Sequence, residues 1–421
     1  MLRILLTTFL FYTVSGRQGF GPTDQEWGYS NVRTGSYIFW WLHYTTADVS
    51  NPTERPLIIW LQGGPGASST GYGNFAELGP LDLELKPRNT TWVQWANVLF
   101  VDNPVGSGFS YIDESGSYAE NNTQIAKDFL VFLKDFYKKL PQFDGVPLYI
   151  FCESYGGKMT PDIAAFIYRA QQNGEINTNL RGIGLGDGWV SSIEIVEAYA
   201  DYCLNLGLID DDGYNAIQGI AEQVKPALDN GEFVKAFNLW GDVTAEIEEK
   251  TYNVDFYNVL LRQAASTKKM GLYRSNLGDA LDDIMNGQVA AALNLTSKWQ
   301  DVNYSVYNAL LYDFMKPVTS VVEDLLDNSN VFVAVYNGQL DLIINTPGTA
   351  NWINRLNFEG KSSWDQSKRI PFNINGYMEG YVRKNDKFAF YWVNNAGHMV
   401  PSDNPSAMEY ILKDVTNNFK V

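Results

Sequence analysis

The segment VPLYIFCESYGGKM, residues 146–159, sets Ser154 where an apolar run ends and a glycine pair opens a helical pattern. A sharp strand-to-helix turn at that point exposes the serine hydroxyl and aims the next amide, that of Tyr155, at a substrate. The chain folds closely on itself there, so small residues are needed two positions before and two after the serine. Gly156 meets the need, and Cys152 is small enough to meet it. A serine nucleophile requires a base. The chain has two histidines, His43 inside the aromatic run YIFWWLHYTT and His398 in the loop AGHMVP after the run FAFYWV. Only His398 follows the serine, in a loop at the carboxyl end of a strand, where open α/β sheets place function. Asp341, in YNGQLD after the run VFVAVY, lies between them in sequence. It can hold the imidazole and stabilise its charged form. The order Ser154, Asp341, His398 describes acyl transfer through a serine ester. The oxyanion formed in such a reaction needs two N–H donors. Tyr155 offers one, and the glycines of WLQGGPGASS, Gly64 with Gly63 beside it, offer the other. Taken singly, each residue has an ordinary reading: a serine capping a helix, an aspartate in a turn, a Gly-Pro turn. Together, in this order and after strands, they point to catalysis, and His43 reads as a structural histidine.

These side chains need a scaffold. Short apolar runs at 56–61, 98–102, 146–151, 180–185, 331–338 and 388–393 read as buried strands. Residues 123–140 carry Ile125, Phe129, Phe132, Leu133 and Phe136 at helical spacing and stop at Pro141. A second helix follows Ser154, with Ile163, Phe166, Ile167 and Ala170 on one face. Strands alternating with helices predict a mostly parallel central sheet with helices on both faces, and the Ser–Asp–His order predicts the α/β-hydrolase fold. The alternating aromatic stretch near the N-terminus predicts an antiparallel strand pair at the sheet edge. Residues 191–315 break the rhythm with helical patterns. They predict a helical cap inserted between a first core segment, 17–190, and a second, 316–421.

Charge and termini narrow the setting. The 421 residues carry 31 Lys and Arg against 48 Asp and Glu, a net charge of −17, which disfavours nucleic acid and anionic lipid as partners. With 45% hydrophobic and 19% charged residues, the chain is not a disordered one. Residues 1–16, with Arg3 ahead of an apolar stretch and small Gly16 at its end, read as a signal peptide too short to span a bilayer. Four acceptor triplets, at Asn89, Asn121, Asn294 and Asn303, fit a secretory route and glycosylation. Cys152 and Cys203 read as free, buried thiols. Two histidines and two cysteines without ligand spacing give no metal site, and no cofactor is expected.

With these motifs laid out, WLQGGPGASS, ELGP, FVDNPVGSGFSY, ESYGGKM, YNGQLD and AGHMVP together resemble the serine carboxypeptidases. The resemblance runs over nearly the whole mature chain and is most specific to the retinoid-inducible branch. It implies Ser154, Asp341 and His398 as the triad, with Gly64 and Tyr155 as the oxyanion hole. It also implies a clamp for the substrate's C-terminal carboxylate at Gln62, Gly63, Glu77 and Glu153. Many relatives carry asparagine where Gln62 stands and a cysteine where Ala67 stands, so a disulfide from the Gly-Pro-Gly loop to the cap is absent. The implied activity is a serine exopeptidase releasing C-terminal residues from peptides at acidic pH, secreted or lysosomal. Other readings are an acyltransferase or esterase on the same scaffold, or a non-catalytic glycoprotein that binds a partner.

Overall fold

The computed structural model describes residues 16–261 and 275–416, so residues 1–15 of the expected signal peptide lie outside the described residues. One twelve-stranded sheet runs through the molecule. Its strands are β1 (Arg17–Gln18), β2 (Asp24–Arg33), β3 (Ser36–His43), β4 (Leu57–Leu61), β5 (Asn97–Val101), β6 (Tyr111–Ile112), β7 (Pro147–Glu153), β8 (Asn179–Gly186), β9 (Phe332–Gly338), β10 (Ile370–Ile374), β11 (Tyr377–Lys384) and β12 (Phe388–Val393). The order is β1-β2-β3-β5-β4-β7-β8-β9-β12-β11-β10, with β6 beside β3. From β5 to β12 every neighbour is parallel. The aromatic strands β2 and β3 pair antiparallel at one side, as their alternation predicts. At the other side β10 and β11 add an antiparallel pair that the sequence reading did not anticipate.

The parallel strands are apolar throughout because both of their faces are covered. Side chains alternate across a strand. Ile58 and Trp60 of β4, Val98 and Phe100 of β5, and Tyr149 and Phe151 of β7 pack on one face, with the C-terminal helix Pro405–Thr416. Leu57, Ile59 and Leu61, Leu99 and Val101, and Leu148, Ile150 and Cys152 pack on the other. That second face is covered by α1 (Asn122–Lys139) and α2 (Gly156–Gln172). The helix α1 forms where its pattern places it. The Asn121 side chain accepts from Gln124 N at 2.9 Å, Ile125, Phe129, Phe132, Leu133 and Phe136 are buried, and Leu140–Pro141 ends the helix. Each such buried side chain contributes about 1.5–3 kcal/mol.

Between β8 and β9 the described chain is helical. The largest helix there, Phe233–Thr251, joins the core through an aromatic cluster in which Trp240 lies 5.2 Å from Phe314 and 5.4 Å from Trp189. The Gly-Pro-Gly loop meets this segment without a covalent tie. Ala67 bridges to Val302, Ser68 N donates to Asp301 O at 3.1 Å, and Asn303 N donates to Gly66 O at 3.0 Å.

That junction also holds one of the four acceptor triplets. Asn303 is buried, its Nδ2 donates to Gly106 O at 2.9 Å, and its Oδ1 accepts from Ser305 N. A glycan on Nδ2 would break the first of these bonds. Asn89, Asn121 and Asn294 are exposed.

Cys152 and Cys203 are both free and buried. Burial pushes each thiol up to about 12. Both should therefore resist alkylation in the native protein and both should react after denaturation without reductant. Intact mass after iodoacetamide checks this; alkylation of Cys152 in the folded state would contradict the packing.

Candidate active site

The strand β7 ends at Glu153 and α2 starts at Gly156, leaving two residues for the turn. Ser154 takes a φ of 61°, a conformation that costs an L-residue energy and is held here by its neighbours. Ser154 N donates to Gly186 O at 3.0 Å, and its carbonyl accepts from Gly157 N at 2.8 Å and Trp189 N at 2.9 Å. The turn is tight on both sides. A Cβ at Gly156 would sit 2.8 Å from Cys152 Cβ and 2.8 Å from Leu61 O, which explains the demand for small residues. Ser154 is the partly exposed member of the cluster; Asp341 and His398 are buried.

The strands β9 and β12 run parallel and adjacent, so the loops at their carboxyl ends meet. There His398 Nδ1 and Asp341 Oδ2 lie 2.8 Å apart. Asp341 Oδ1 accepts from Ile344 N at 3.0 Å. An ionised Asp341 fixes the tautomer with the proton on Nδ1 and leaves Nε2 as the acceptor. Burial raises the Asp341 carboxyl, and the His398 charge and hydrogen bond oppose that rise. Among the described residues Ser154 Oγ has no hydrogen-bond partner; in free hydrolases this contact is often long and tightens with substrate.

The Gly-rich loop after β4 lies against the serine. A Cβ on Gly63 would stand 2.8 Å from Tyr155 N and 2.9 Å from Ser154 Oγ, so only a glycine admits this approach. Gly64 adopts a φ of +107°, which L side chains rarely reach. Neither Gly64 N nor Tyr155 N enters a backbone hydrogen bond among the described residues, so both are free to donate.

Beside the serine lies a buried acidic pair. Gln62, Glu77 and Glu153 are at most 3% exposed. Trp60 Nε1 donates to Gln62 Oε1 at 2.8 Å and so turns the amide nitrogen toward the glutamates. Gln62 Nε2 then donates to Glu77 Oε1 at 3.1 Å and to Glu153 Oε1 at 3.0 Å. The longer glutamine side chain therefore reaches both carboxyls, and both of its amide hydrogens are committed. Glu77 Oε2 and Glu153 Oε2 are buried without a partner among the described residues, and two dry carboxyls side by side cannot both stay charged. Burial, then the Glu77 charge, raises Glu153 well above the usual range. Burial also raises Glu77, while its neighbours Glu153 and Gln62 hold it down. The pair accordingly holds a proton in acid, on oxygens that have no partner in the resting fold.

The remaining histidine is elsewhere. His43 is buried in β3, with Nδ1 2.8 Å from Thr23 Oγ1 and Nε2 3.3 Å from Asn74 Nδ2. Burial drives it down to about 3, so it stays neutral. Two contributors escaped the sequence reading. Tyr257 crosses the His398 ring edge-on at 4.8 Å, and its carbonyl accepts from His398 N at 2.7 Å. No sequence periodicity marks it, because it belongs to an irregular stretch after the helix Phe233–Thr251. Asp187 follows β8 as Asp341 follows β9, and that shared post-strand position was a legible signal. Of the acidic and histidine ligand atoms, those of Asp187, Asp341 and His398 lie within 4.8 Å of one another.

Comparison with known proteins agrees with this geometry. The serine carboxypeptidase family matches residues 17–418. Retinoid-inducible serine carboxypeptidase of Mus musculus is 41% identical over 439 residues, covering 99% of this chain and 97% of the mouse protein. The Homo sapiens protein of that name is 41% identical over 94% of this chain and 92% of its own. In three dimensions, a prohormone-processing carboxypeptidase from Saccharomyces cerevisiae superimposes with a TM-score of 0.83 at 23% identity, covering 94% of this chain and 92% of that one. The fold is that of the α/β hydrolases, and the chain belongs to the serine carboxypeptidase family.

Proposed function

We propose that this serine-type carboxypeptidase removes C-terminal residues from peptides through an ester on Ser154, at acidic pH and within the secretory pathway, secreted or lysosomal. Ser154 Oγ attacks the carbonyl carbon of the last peptide bond while His398 Nε2 takes the hydroxyl proton. Asp341 stabilises the imidazolium that forms. The oxyanion is received by the N–H groups of Gly64 and Tyr155. His398 then returns the proton to the leaving amine, and the C-terminal residue departs. Water, activated by His398, hydrolyses the ester and restores the serine.

The observation that carries the exopeptidase reading is the buried Gln62–Glu77–Glu153 cluster adjoining Ser154. An endopeptidase or a general esterase gains nothing from burying two glutamates at the nucleophile. A free substrate carboxylate gives them a use, because a protonated glutamic acid can donate to it. With both Gln62 hydrogens committed, the donors left for it are that acid proton and Gly63 N–H. We assign the helical segment between β8 and β9 to substrate selection, as the wall facing the Gly-Pro-Gly loop. Exposed Asn89, Asn121 and Asn294 fit glycan attachment in that compartment.

The test uses an N-blocked dipeptide, its C-terminal amide and an N-blocked amino-acid ester at pH 5, with products identified by mass. Preferential release of the C-terminal amino acid from the free dipeptide is expected. Turnover of the ester alone would mark an esterase, and no turnover of any of the three would mark a binding protein.

A further inference from the structure

We infer that Asp187 is a positioning residue that carries a proton shared with Asp341, donates it as an O–H bond to the Asp341 carboxylate, and thereby holds that carboxylate in place for His398. This rests on Asp341 and His398 being the catalytic pair. The geometry begins with backbone. Asp187 has a φ of 42°, its N donates to Tyr336 O at 2.8 Å, and its Oδ1 accepts from Gly338 N at 2.8 Å. These contacts fix the side chain against the loop that carries Asp341. As a carboxylate, Asp187 Oδ2 would be buried with no donor among the described residues. Two carboxylates this close and this dry cannot both stay charged. A proton between them removes the repulsion and satisfies Oδ2 at once. Its location follows from the other bonds. Asp341 already accepts from Ile344 N and from His398, whereas Asp187 accepts from Gly338 N alone. The charge settles on Asp341 and the proton on Asp187. Burial first, then the Asp341 charge, raises Asp187 well above the ordinary carboxyl range.

The other groups facing this pair reinforce the arrangement. Asp403, at the end of the short helix Val400–Asp403, disfavours a second negative charge there. Tyr336 on β9 and Tyr202 from the helical insertion are themselves raised and remain neutral. Among the described residues His398 is the cationic candidate in contact with the pair. A third hydrogen bond to Asp341 fixes its carboxylate where His398 Nδ1 meets it. When the pH rises enough to ionise Asp187, a second charge faces Asp341 and the pair is forced apart.

The experiment compares Asp187→Asn and Asp187→Ala with the parent enzyme. The readout is pH profiles of kcat/KM on a blocked amino-acid ester, a substrate without the carboxylate that a clamp would sense. Asparagine tolerates the left-handed backbone and offers a neutral donor that cannot ionise. It should keep activity within about threefold at pH 5 and abolish the alkaline decline of the parent. Alanine, which removes the donor, should lower kcat/KM by on the order of tenfold across the profile. An asparagine variant that retains the parent's alkaline limb, or that loses activity as alanine does, overturns the inference. Should the alanine variant not fold, the asparagine profile decides alone. Organophosphonate labelling of Ser154 in each protein separates the two levels: no labelling of the parent sinks the triad reading, whereas labelling with an unmoved profile sinks only the role of Asp187.

Discussion

Ser154→Ala should lower kcat by roughly 10⁶-fold and abolish labelling by an organophosphonate, with the fold intact. The residual rate would come from the oxyanion donors and substrate binding alone. Alanine removes only Oγ, and no hydrogen bond of the resting fold depends on that atom. The strained backbone stays held through Gly186, Gly157 and Trp189, so thermal unfolding should barely move. His398→Ala should cost nearly as much, because it removes the base that accepts the serine proton. Its effect is not additive with that of Ser154→Ala, since the two act as one unit. His43→Ala provides the contrast. It strands the Thr23 hydroxyl and the Asn74 amide in a dry interior, which costs about 1–3 kcal/mol of stability. The protein that remains folded should turn over at the parent rate. Steady-state kinetics at matched folded fraction, measured by circular dichroism, checks all three. A His43 variant that is folded and dead beside a His398 variant that is active would reverse the assignment.

The parallel core was legible because burial on both faces leaves unmistakable apolar runs, and β4, β5, β7, β8, β9 and β12 all appear within a residue or two of those runs. Polar edge strands leave no such mark. In β11, Tyr377, Met378 and Lys384 are exposed while Gly380 and Val382 are buried, a pattern easily read as loop. The site divides the same way. Ser154, Asp341 and His398 each follow a strong strand, so position and type could be read together. Asp187 follows a strand too, but an aspartate in Gly-Asp-Gly reads as a turn until the neighbouring loop brings Asp341 beside it. The acidic pair was legible only through family resemblance. Glu77 lies in a buried π-helix, Ser69–Leu78, with every residue inside, and nothing in a local pattern announces that a glutamate there meets Glu153. The burial of Asn303 is hidden for the opposite reason: its triplet is local, whereas its contact with Gly106 joins residues far apart in sequence.

The acidic pair leads to the second large effect. KM for a peptide with a free C-terminus should climb by on the order of 10–100-fold as pH rises through the upper ionisation of Glu77 and Glu153, while KM for the matching C-terminal amide should stay nearly flat. The sign follows from burial. Glu153 is raised well above its usual 4.5, by desolvation first and by the Glu77 charge second, so at acidic pH it is a neutral donor. Below that ionisation the pair holds a proton, and a substrate carboxylate can accept from it. Above it, two glutamates and the substrate carboxylate would all be charged in one dry pocket, and binding weakens. Gln62 cannot compensate, because both of its amide hydrogens are already given to Glu77 and Glu153. An amide carries no charge to repel and brings its own donor, so it does not sense the change. Glu153→Gln decides the cause. It places a permanent neutral donor where the proton sits and leaves one glutamate free to ionise. The KM rise for the free peptide should then flatten while kcat keeps its own pH dependence. The measurement is KM for both substrates from pH 4 to 8, on the parent and on Glu153→Gln. If free peptide and amide follow the same KM curve in the parent, the pair does not bind the substrate carboxylate. If they differ but Glu153→Gln leaves the rise unchanged, the recognising proton lies on some group other than Glu153.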